Sequence, residues 1–195
     1  MKRACLLAPL LLAALSLTPA HAQGTATPPA ATPAQSTPAA ATGTRTVEAV
    51  TATSAKGYSI RVPAGWIPLK NVPGADVAFI NRDAGTVRPT VTVQVQDVDP
   101  KLKATLADFR DLFASQLGKD VPKFKMLGEK TVKLGSTPAI LWSYLGDGEG
   151  GMVRWTQVFT VKNNRLFTAT LVQPSGTTAE QIEEGRAILT SLTLK

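Results

Sequence analysis

The chain has 195 residues, with 21 Lys and Arg side chains against 14 Asp and Glu, a net charge of +7, one cysteine and one histidine. Cys5 and His21 both precede residue 23. From residue 23 onward the chain has neither histidine nor cysteine. This excludes Ser-His-Asp and Cys-His catalysis, zinc and histidine metal sites, and thiol redox chemistry there.

The first 22 residues have the pattern of a cleavable secretory signal peptide. Two basic residues precede an apolar run over 6–17, and the small residues Ala20 and Ala22 stand where a signal peptidase reads the chain. Cys5 lies ahead of most of the apolar run rather than at the cleavage point, which argues against a lipoprotein. We predict a signal peptide over 1–22 and an exported protein, either periplasmic or extracellular.

A disordered tether and one folded domain are predicted to follow. Residues 23–44 are almost entirely Ala, Thr and Pro, without a charge or a large apolar side chain. Such a segment has nothing to bury against its ordering entropy, so we predict a tether over 23–45 and a folded domain over 46–195. No apolar stretch in this part approaches the roughly 20 residues of a membrane-spanning helix, so no transmembrane segment is expected in the mature chain.

Alternating apolar residues predict three strands in the first part of the domain. The third has one polar face, which is typical of antiparallel sheets. Its apolar positions, and those of the two strands before it, are Tyr58, Ile60 and Val62, then Val77 and Phe79, then Val91, Val93 and Val95.

A helix is predicted next, because apolar residues recur there at spacings of three and four. Asp99 and Pro100 are expected to cap it and form its first turn, and Gly118 to end it. The apolar stripe consists of Leu106, Phe109, Phe113 and Leu117.

Strands and a second helix are predicted for the rest of the domain. After a strand that ends near Leu134, the segments 139–145, 152–161 and 166–172 read as strands, and Asn163-Asn164 is a hairpin turn. Thr177 with Glu180 fits a capping box for a last helix with Ile182, Ile188, Leu189 and Leu192 on its apolar side. The prediction is an α+β fold with a central antiparallel sheet and helices packed on it.

Four acidic residues offer the remaining chemistry. Asp97 with Asp99, and Asp147 with Glu149, could form acid/base pairs or supply oxygen ligands to Ca²⁺. Solvated turn and cap positions are the simpler interpretation of both pairs. The glycines of segment 146–151 match a nucleotide-binding pattern, but a strand rather than a helix follows them, and two carboxylates would repel phosphate.

The large aromatic residues are predicted to be core residues rather than a stacking platform for bases or sugars. They lie in or beside alternating apolar strands, and nucleic acid is not expected as a ligand. These residues are Tyr58, Trp66, Trp142, Tyr144 and Trp155.

Lysines form the one surface for which we predict a partner. Between residues 123 and 134 the apolar residues are even-numbered, so Lys123, Lys125 and Lys133 should point together toward solvent, with Lys119 nearby. A solvated face that guards a sheet edge is one interpretation. The other is a docking face for an acidic envelope protein or an anionic envelope polymer.

Several short motifs resemble those of the PsbP/Mog superfamily, and within it the exported DcrB-like and LpqN-like branches. They include segment 58–66 (YSIRVPAGW), segment 134–139 (LGSTPA) and segment 188–192 (ILTSL). The resemblance implies an α-β-α sandwich around a central antiparallel sheet, and proteins that act by docking on other proteins rather than by catalysis.

These observations favour an exported, non-catalytic accessory or binding protein of the cell envelope, without a cofactor. Two alternatives remain open at this point: a carboxylate-dependent hydrolase of envelope polymers, and a carrier of a small ligand in an apolar pocket between sheet and helix.

Overall fold

The computed structural model describes residues 49–82, 88–148 and 151–195. The predicted signal peptide, the predicted tether and Glu149 lie outside these residues. Within them the strands are β1 (Val50–Ser54), β2 (Tyr58–Val62), β3 (Trp66–Leu69), β4 (Val77–Asn81), β5 (Thr90–Asp97), β6 (Lys125–Leu134), β7 (Thr137–Gly148), β8 (Gly151–Lys162), β9 (Arg165–Pro174) and β10 (Thr193–Leu194). The α-helices are α1 (Leu106–Asp120) and α2 (Ala179–Thr190).

Two antiparallel sheets organise these elements. The larger one has the strand order β3-β4-β5-β9-β8-β7-β6, and the smaller one has the order β1-β2-β10. The hairpin between β8 and β9 turns at Asn163 and Asn164, whose φ angles of 51° and 56° are in the left-handed region that asparagine tolerates. This confirms the predicted hairpin and the predicted antiparallel α+β fold.

The two faces of the large sheet bury separate hydrophobic clusters. On one face, α1 packs Phe113 and Leu117 against Trp142, Tyr144 and Phe159. On the other face, α2 and the small sheet enclose a second cluster, whose largest members include Tyr58, Trp66, Phe79, Phe167 and Leu189. All five aromatic residues predicted for the core are buried.

The start and end of α1 differ from the prediction. Asp99 caps a separate 3-10 turn over Pro100–Leu102, and α1 itself begins after Thr105, which forms a capping box with Asp108. The helix passes through Gly118 and ends at Asp120. Nothing lies within 4 Å of a Cβ built at Gly118, and an αR glycine continues a helix at a modest cost.

The predicted capping box of α2 is wrong by one residue. Thr178 is the N-cap, and its hydroxyl accepts from the backbone N–H of Gln181 while the Gln181 side chain accepts from the N–H of Thr178. The hydroxyl of Thr177 donates instead to the carbonyl of Pro174, at 2.6 Å. Because Thr177 and Thr178 are adjacent, the sequence alone allows either of them to be the N-cap. The bond from Thr177 to Pro174 leaves Thr178 for that position.

Strand β6, at one edge of the large sheet, contains a bulge. Met126 pairs with Tyr144, but Gly128 already pairs with Ser143, so Leu127 is an extra residue. An extra residue exchanges the two faces of the strand beyond it. Met126 accordingly packs with the α1 cluster, whereas Val132 packs with the cluster beneath α2 and the small sheet.

A candidate anion-binding cleft between α2 and β6

The predicted lysine ridge is not a single face. The bulge in β6 makes Lys125 a neighbour of Leu145 on one face of the sheet, and Lys133 a neighbour of Pro138 on the other. Lys123 forms an ion pair with Asp147, with 2.8 Å between Nζ and Oδ2. The expectation that these lysines point together is therefore wrong. It assumed that odd-numbered residues lie on one face along the whole of β6, and the bulge exchanges the two faces.

The acidic residues do not converge either. Asp97 is the last residue of β5 and pairs with Arg165, whereas Asp147 is near the end of the antiparallel strand β7, at the opposite end of the sheet. Within the described residues, no three His, Cys, Asp or Glu side chains form a group that could hold a metal ion. Asp97 and Asp147 therefore cannot act together on one substrate or one Ca²⁺.

A cleft lies between α2 and the β6-β7 side of the large sheet, and we call it the α2–β6 cleft. It has a volume of about 630 Å³. Helix α2 packs over β8, β9 and β2, and the cleft lies beside it, over β6 and β7. The residues that line it include Leu127, Gly128, Glu129, Lys130 and Val132 of β6, Leu141 and Ser143 of β7, Arg154 of β8, and Glu183, Arg186, Ala187 and Thr190 of α2.

Three cations line the cleft, and two of them have no counter-ion. Arg186 forms an ion pair with Glu183 on its own helix, and Glu129 is paired with Arg110, at 3.1 Å. In the part of the chain that the structure describes, neither Lys130 nor Arg154 takes part in a salt bridge. The cleft thus has an excess of positive charge at Lys130 and Arg154.

Arg154 is the least satisfied of these cations. Its residue is half-buried, and its Nε is inaccessible to solvent and makes no hydrogen bond with any residue that the structure describes. Its neighbour across the β8-β9 pair is Gln173, whose Nε2 donates to the carbonyl of Gln181 while its Oε1 has no partner. Buried polar groups are normally hydrogen-bonded, because leaving one unpaired costs about 1–3 kcal/mol.

The hydroxyl of Ser143, which also lines the cleft, is already engaged. Ser143 and Thr156 face each other on β7 and β8, and their oxygens are 3.1 Å apart. Among the described residues neither hydroxyl hydrogen-bonds a basic side chain, so no group that the structure describes activates Ser143 as a nucleophile. The cleft can hold an anion by charge and by the hydrogen-bond donors of a guanidinium, which match a carboxylate in two-point geometry.

A second polar cluster joins the small sheet to the large one. Asp76, just before β4, accepts hydrogen bonds from the hydroxyls of Ser54 and Tyr58, each at 2.6 Å, and Lys56 Nζ is 3.2 Å from its carboxylate. Burial opposes the charge, but the hydrogen bonds and Lys56 outweigh it, so the pKa of Asp76 lies below its ordinary value. Burial and the neighbouring carboxylate raise the pKa of Tyr58. Every group here has a partner, which indicates a structural cluster.

Sequence reasoning did not find the α2–β6 cleft. Arg154 stands between Val153 and Trp155, whereas Lys130 lies in a strand with several other charged residues, and neither belongs to a recognisable motif. The available signal was a charged residue inside the strand predicted over 152–161, because arginine is mostly exposed whereas positions inside an apolar strand are often buried. The convergence of three cations from β6, β8 and α2 depends on the tertiary fold.

Comparisons with known proteins identify the fold. The chain matches no protein-family model and no curated protein. Among solved structures, cyanobacterial PsbP (CyanoP) from Synechocystis matches with a TM-score of 0.57 and 15% identity, over 78% of this chain and 96% of that one.

Two further structures agree with this match. The Ran-binding protein Mog1p of Saccharomyces cerevisiae matches with a TM-score of 0.52 and 14% identity, over 76% of this chain and 96% of that one. LpqN of Mycobacterium tuberculosis matches with a TM-score of 0.51 and 17% identity, over 76% of this chain and 91% of that one. The chain therefore has the PsbP/Mog-like fold that its sequence motifs predict.

Proposed function

We propose that this PsbP/Mog-like chain is an exported, non-catalytic accessory protein of the cell envelope, and that it docks on an acidic partner protein through the α2–β6 cleft. The observation that carries the proposal is a pair of cations, Lys130 and Arg154, that have no counter-ion within residues 49–82, 88–148 and 151–195. Arg154 is half-buried, and a half-buried cation costs desolvation energy that an incoming anion offsets, whereas the exposed Lys130 contributes its charge alone. The excess of positive charge in the cleft also speeds the encounter with a negatively charged partner.

Two proteins with this fold give the proposal its setting. Mog1p is a Ran-binding protein, and LpqN is involved in cell envelope biogenesis. For this chain, export is supported by the signal-peptide pattern over 1–22, and the Ala/Thr/Pro segment over 23–45 would let the domain over 46–195 reach a partner at a distance. No helix among the described residues is long and apolar enough to cross a membrane.

The geometry favours docking over the two alternatives. A carrier of an apolar ligand needs a largely apolar pocket, whereas charged residues from β6, β8 and α2 line the α2–β6 cleft. A hydrolase with two carboxylates needs them free on both sides of one bond. In the described residues Asp97 is paired with Arg165, Asp99 accepts from the backbone N–H of Lys101, and Asp147 is paired with Lys123, while Glu149 lies outside those residues.

The test compares two double variants that lose the same charge. One removes the cations of the cleft, Arg154→Met with Lys130→Gln, and its control removes two exposed cations elsewhere, Arg61→Gln with Lys70→Gln. Tagged full-length protein is cross-linked in the envelope of the cells that produce it, and captured proteins are identified. We expect an acidic protein that the wild type and the control capture and that the cleft variant does not.

Salt gives the second measurement of the same test. Capture through the cleft should weaken as ionic strength rises, because screening reduces the attraction between the charges. Equal capture by both double variants at every salt concentration would refute docking through this cleft. A further variant, Lys125→Gln with Lys133→Gln, tests separately whether the predicted lysines contribute, with Lys119 and Lys123 as the next positions.

A further inference from the structure

The two cations without counter-ions lie far apart in the α2–β6 cleft. Lys130 pairs with Leu141 of β7, and Arg154 pairs with Leu145 of the same strand. The two positions are thus four residues apart along the sheet and two strands apart across it. At ordinary strand spacings this places their Cα atoms roughly 17 Å from each other.

Polar side chains occupy the floor between them. Ser143 and Thr156 form a hydrogen-bonded pair in the row that separates Lys130 from Arg154. A single small anion reaches both cations only if both long side chains extend toward each other, which loses rotamer freedom. An elongated ligand with two separated acidic groups can contact both cations without either side chain having to extend toward the other.

The size and the position of the cleft fit such a ligand. A volume of about 630 Å³ is within the range of roughly 300–1,000 Å³ for ligand-binding pockets, and so exceeds what one ion needs. The cleft borders β6, which is the last strand of the large sheet and has a neighbour on one side only. An extended chain can therefore enter along the edge of the sheet.

The predicted tether of this chain does not supply the ligand. Residues 23–44 contain no Asp and no Glu, so this segment has no carboxylate to offer to Lys130 or Arg154. The chemistry of the cleft points to an acidic segment of another protein.

We infer that the α2–β6 cleft binds an extended acidic segment of a partner protein at two points, with one carboxylate accepting hydrogen bonds from the guanidinium of Arg154 and a second contacting the ammonium of Lys130. The inference rests on the proposed function. It adds that the ligand is an extended segment, and it states which cation each of the two carboxylates contacts. Arg154 provides the geometric selectivity, because its planar guanidinium can donate two parallel hydrogen bonds to a carboxylate. Lys130 acts as a point charge that tolerates variation in position.

The inference is tested with synthetic peptides and the full-length protein. Acetylated and amidated peptides carry two Glu residues separated by one, three or five Ser residues, and the matched peptides have either Glu replaced by Gln. Dissociation constants are measured by calorimetry at low salt. For at least one spacing we expect the peptide with two Glu to bind about tenfold or more tightly than either peptide with one Glu, as for a charge-assisted contact.

Paired variants of protein and peptide identify the contacts. In Arg154→Met, replacing one particular Glu by Gln should no longer change the affinity, and in Lys130→Gln the same should hold for the other Glu. Arg61→Gln and Lys70→Gln should bind like the wild type. Arg154→Lys retains the charge and should lose most of the preference for the correct spacing, which provides a second readout if Arg154→Met folds poorly.

Three results would overturn the inference. In the first, the peptides with two Glu bind no better than those with one at any spacing. In the second, free suberate binds as tightly as the best peptide, which would indicate a site for small dicarboxylates. In the third, Arg154→Met alters the melting temperature but not the binding, so that Arg154 serves only the stability of the domain. Envelope capture that depends on the cleft would leave the proposed function standing in each case.

Discussion

Gly185 in the middle of α2 allows the helix to lie directly on β9. A Cβ built at this position would be 2.0 Å from Cδ2 of Leu171, 3.4 Å from its Cγ and 3.5 Å from Nε2 of Gln173. Leu171 is completely buried, so its side chain has little room to move. Gly185→Ala should therefore destabilise the domain, although alanine favours a helix.

The size of the effect follows from two opposing terms. Replacing glycine by alanine inside a helix stabilises it by up to about 1 kcal/mol, whereas forcing an extra methyl group into a packed core costs typically about 1–3 kcal/mol. We expect Gly185→Ala to lower the free energy of unfolding by about 1 kcal/mol. Gly118→Ala in α1 is the matched control, because nothing lies within 4 Å of its Cβ, and it should be neutral or stabilising by up to about 1 kcal/mol.

Urea denaturation and thermal melting of the two variants measure the difference. A gap of about 2 kcal/mol corresponds to roughly 4–8 °C in melting temperature for a domain of this size. In a Leu171→Val background, which removes Cδ2, Gly185→Ala should become stabilising. If Gly185→Ala stabilises the wild-type domain as much as Gly118→Ala does, the close contact between α2 and β9 is refuted.

Three further predictions concern other parts of the chain. Gln157→Leu should lower the free energy of unfolding by about 1–3 kcal/mol, because Gln157 Oε1 accepts from the buried Trp142 Nε1 at 3.0 Å; in urea denaturation the same substitution should cost less in a Trp142→Phe background, where that donor is absent. The lowered pKa of Asp76 means that its ionised form stabilises the fold above the ordinary carboxyl pKa and that this contribution is lost as the pH falls through the lowered pKa; in acid titrations Asp76→Asn should be less stable at neutral pH and show a shallower decline, and an unchanged decline would contradict this. Intact-mass measurement of protein recovered from outside the cytoplasm should show cleavage after Ala22, and a retained Cys5 would argue against it.

Much of the fold could be predicted because the sequence patterns are local. The two-residue periods around Ile60 and Val93 depend only on which face of a strand is buried. The turn at Asn163 and Asn164 follows from the backbone preference of asparagine. Such features need no knowledge of the rest of the chain.

The bulge in β6 and the α2–β6 cleft could not be predicted in the same way. Leu127 in the bulge is an ordinary strand residue, and only the pairing with β7 shows that it is extra. Because the apolar residues remain even-numbered on both sides of it, the sequence conceals the exchange of faces. The cleft depends on where α2 lies across the sheet, which is set by Gly185 and Leu171 through contacts between segments distant in sequence.

The closure of the small sheet by β10 has a consequence for the order of folding. Strand β2 pairs with β10, and Ser191 bonds to the backbone of Arg61, 130 residues earlier in the chain. Contacts with such large sequence separations form late and slow the folding of a domain. The small sheet therefore stays incomplete until residues 193–194 are available, and a nascent chain that lacks them leaves Ser59 and Tyr58 of β2 without their partners on β10.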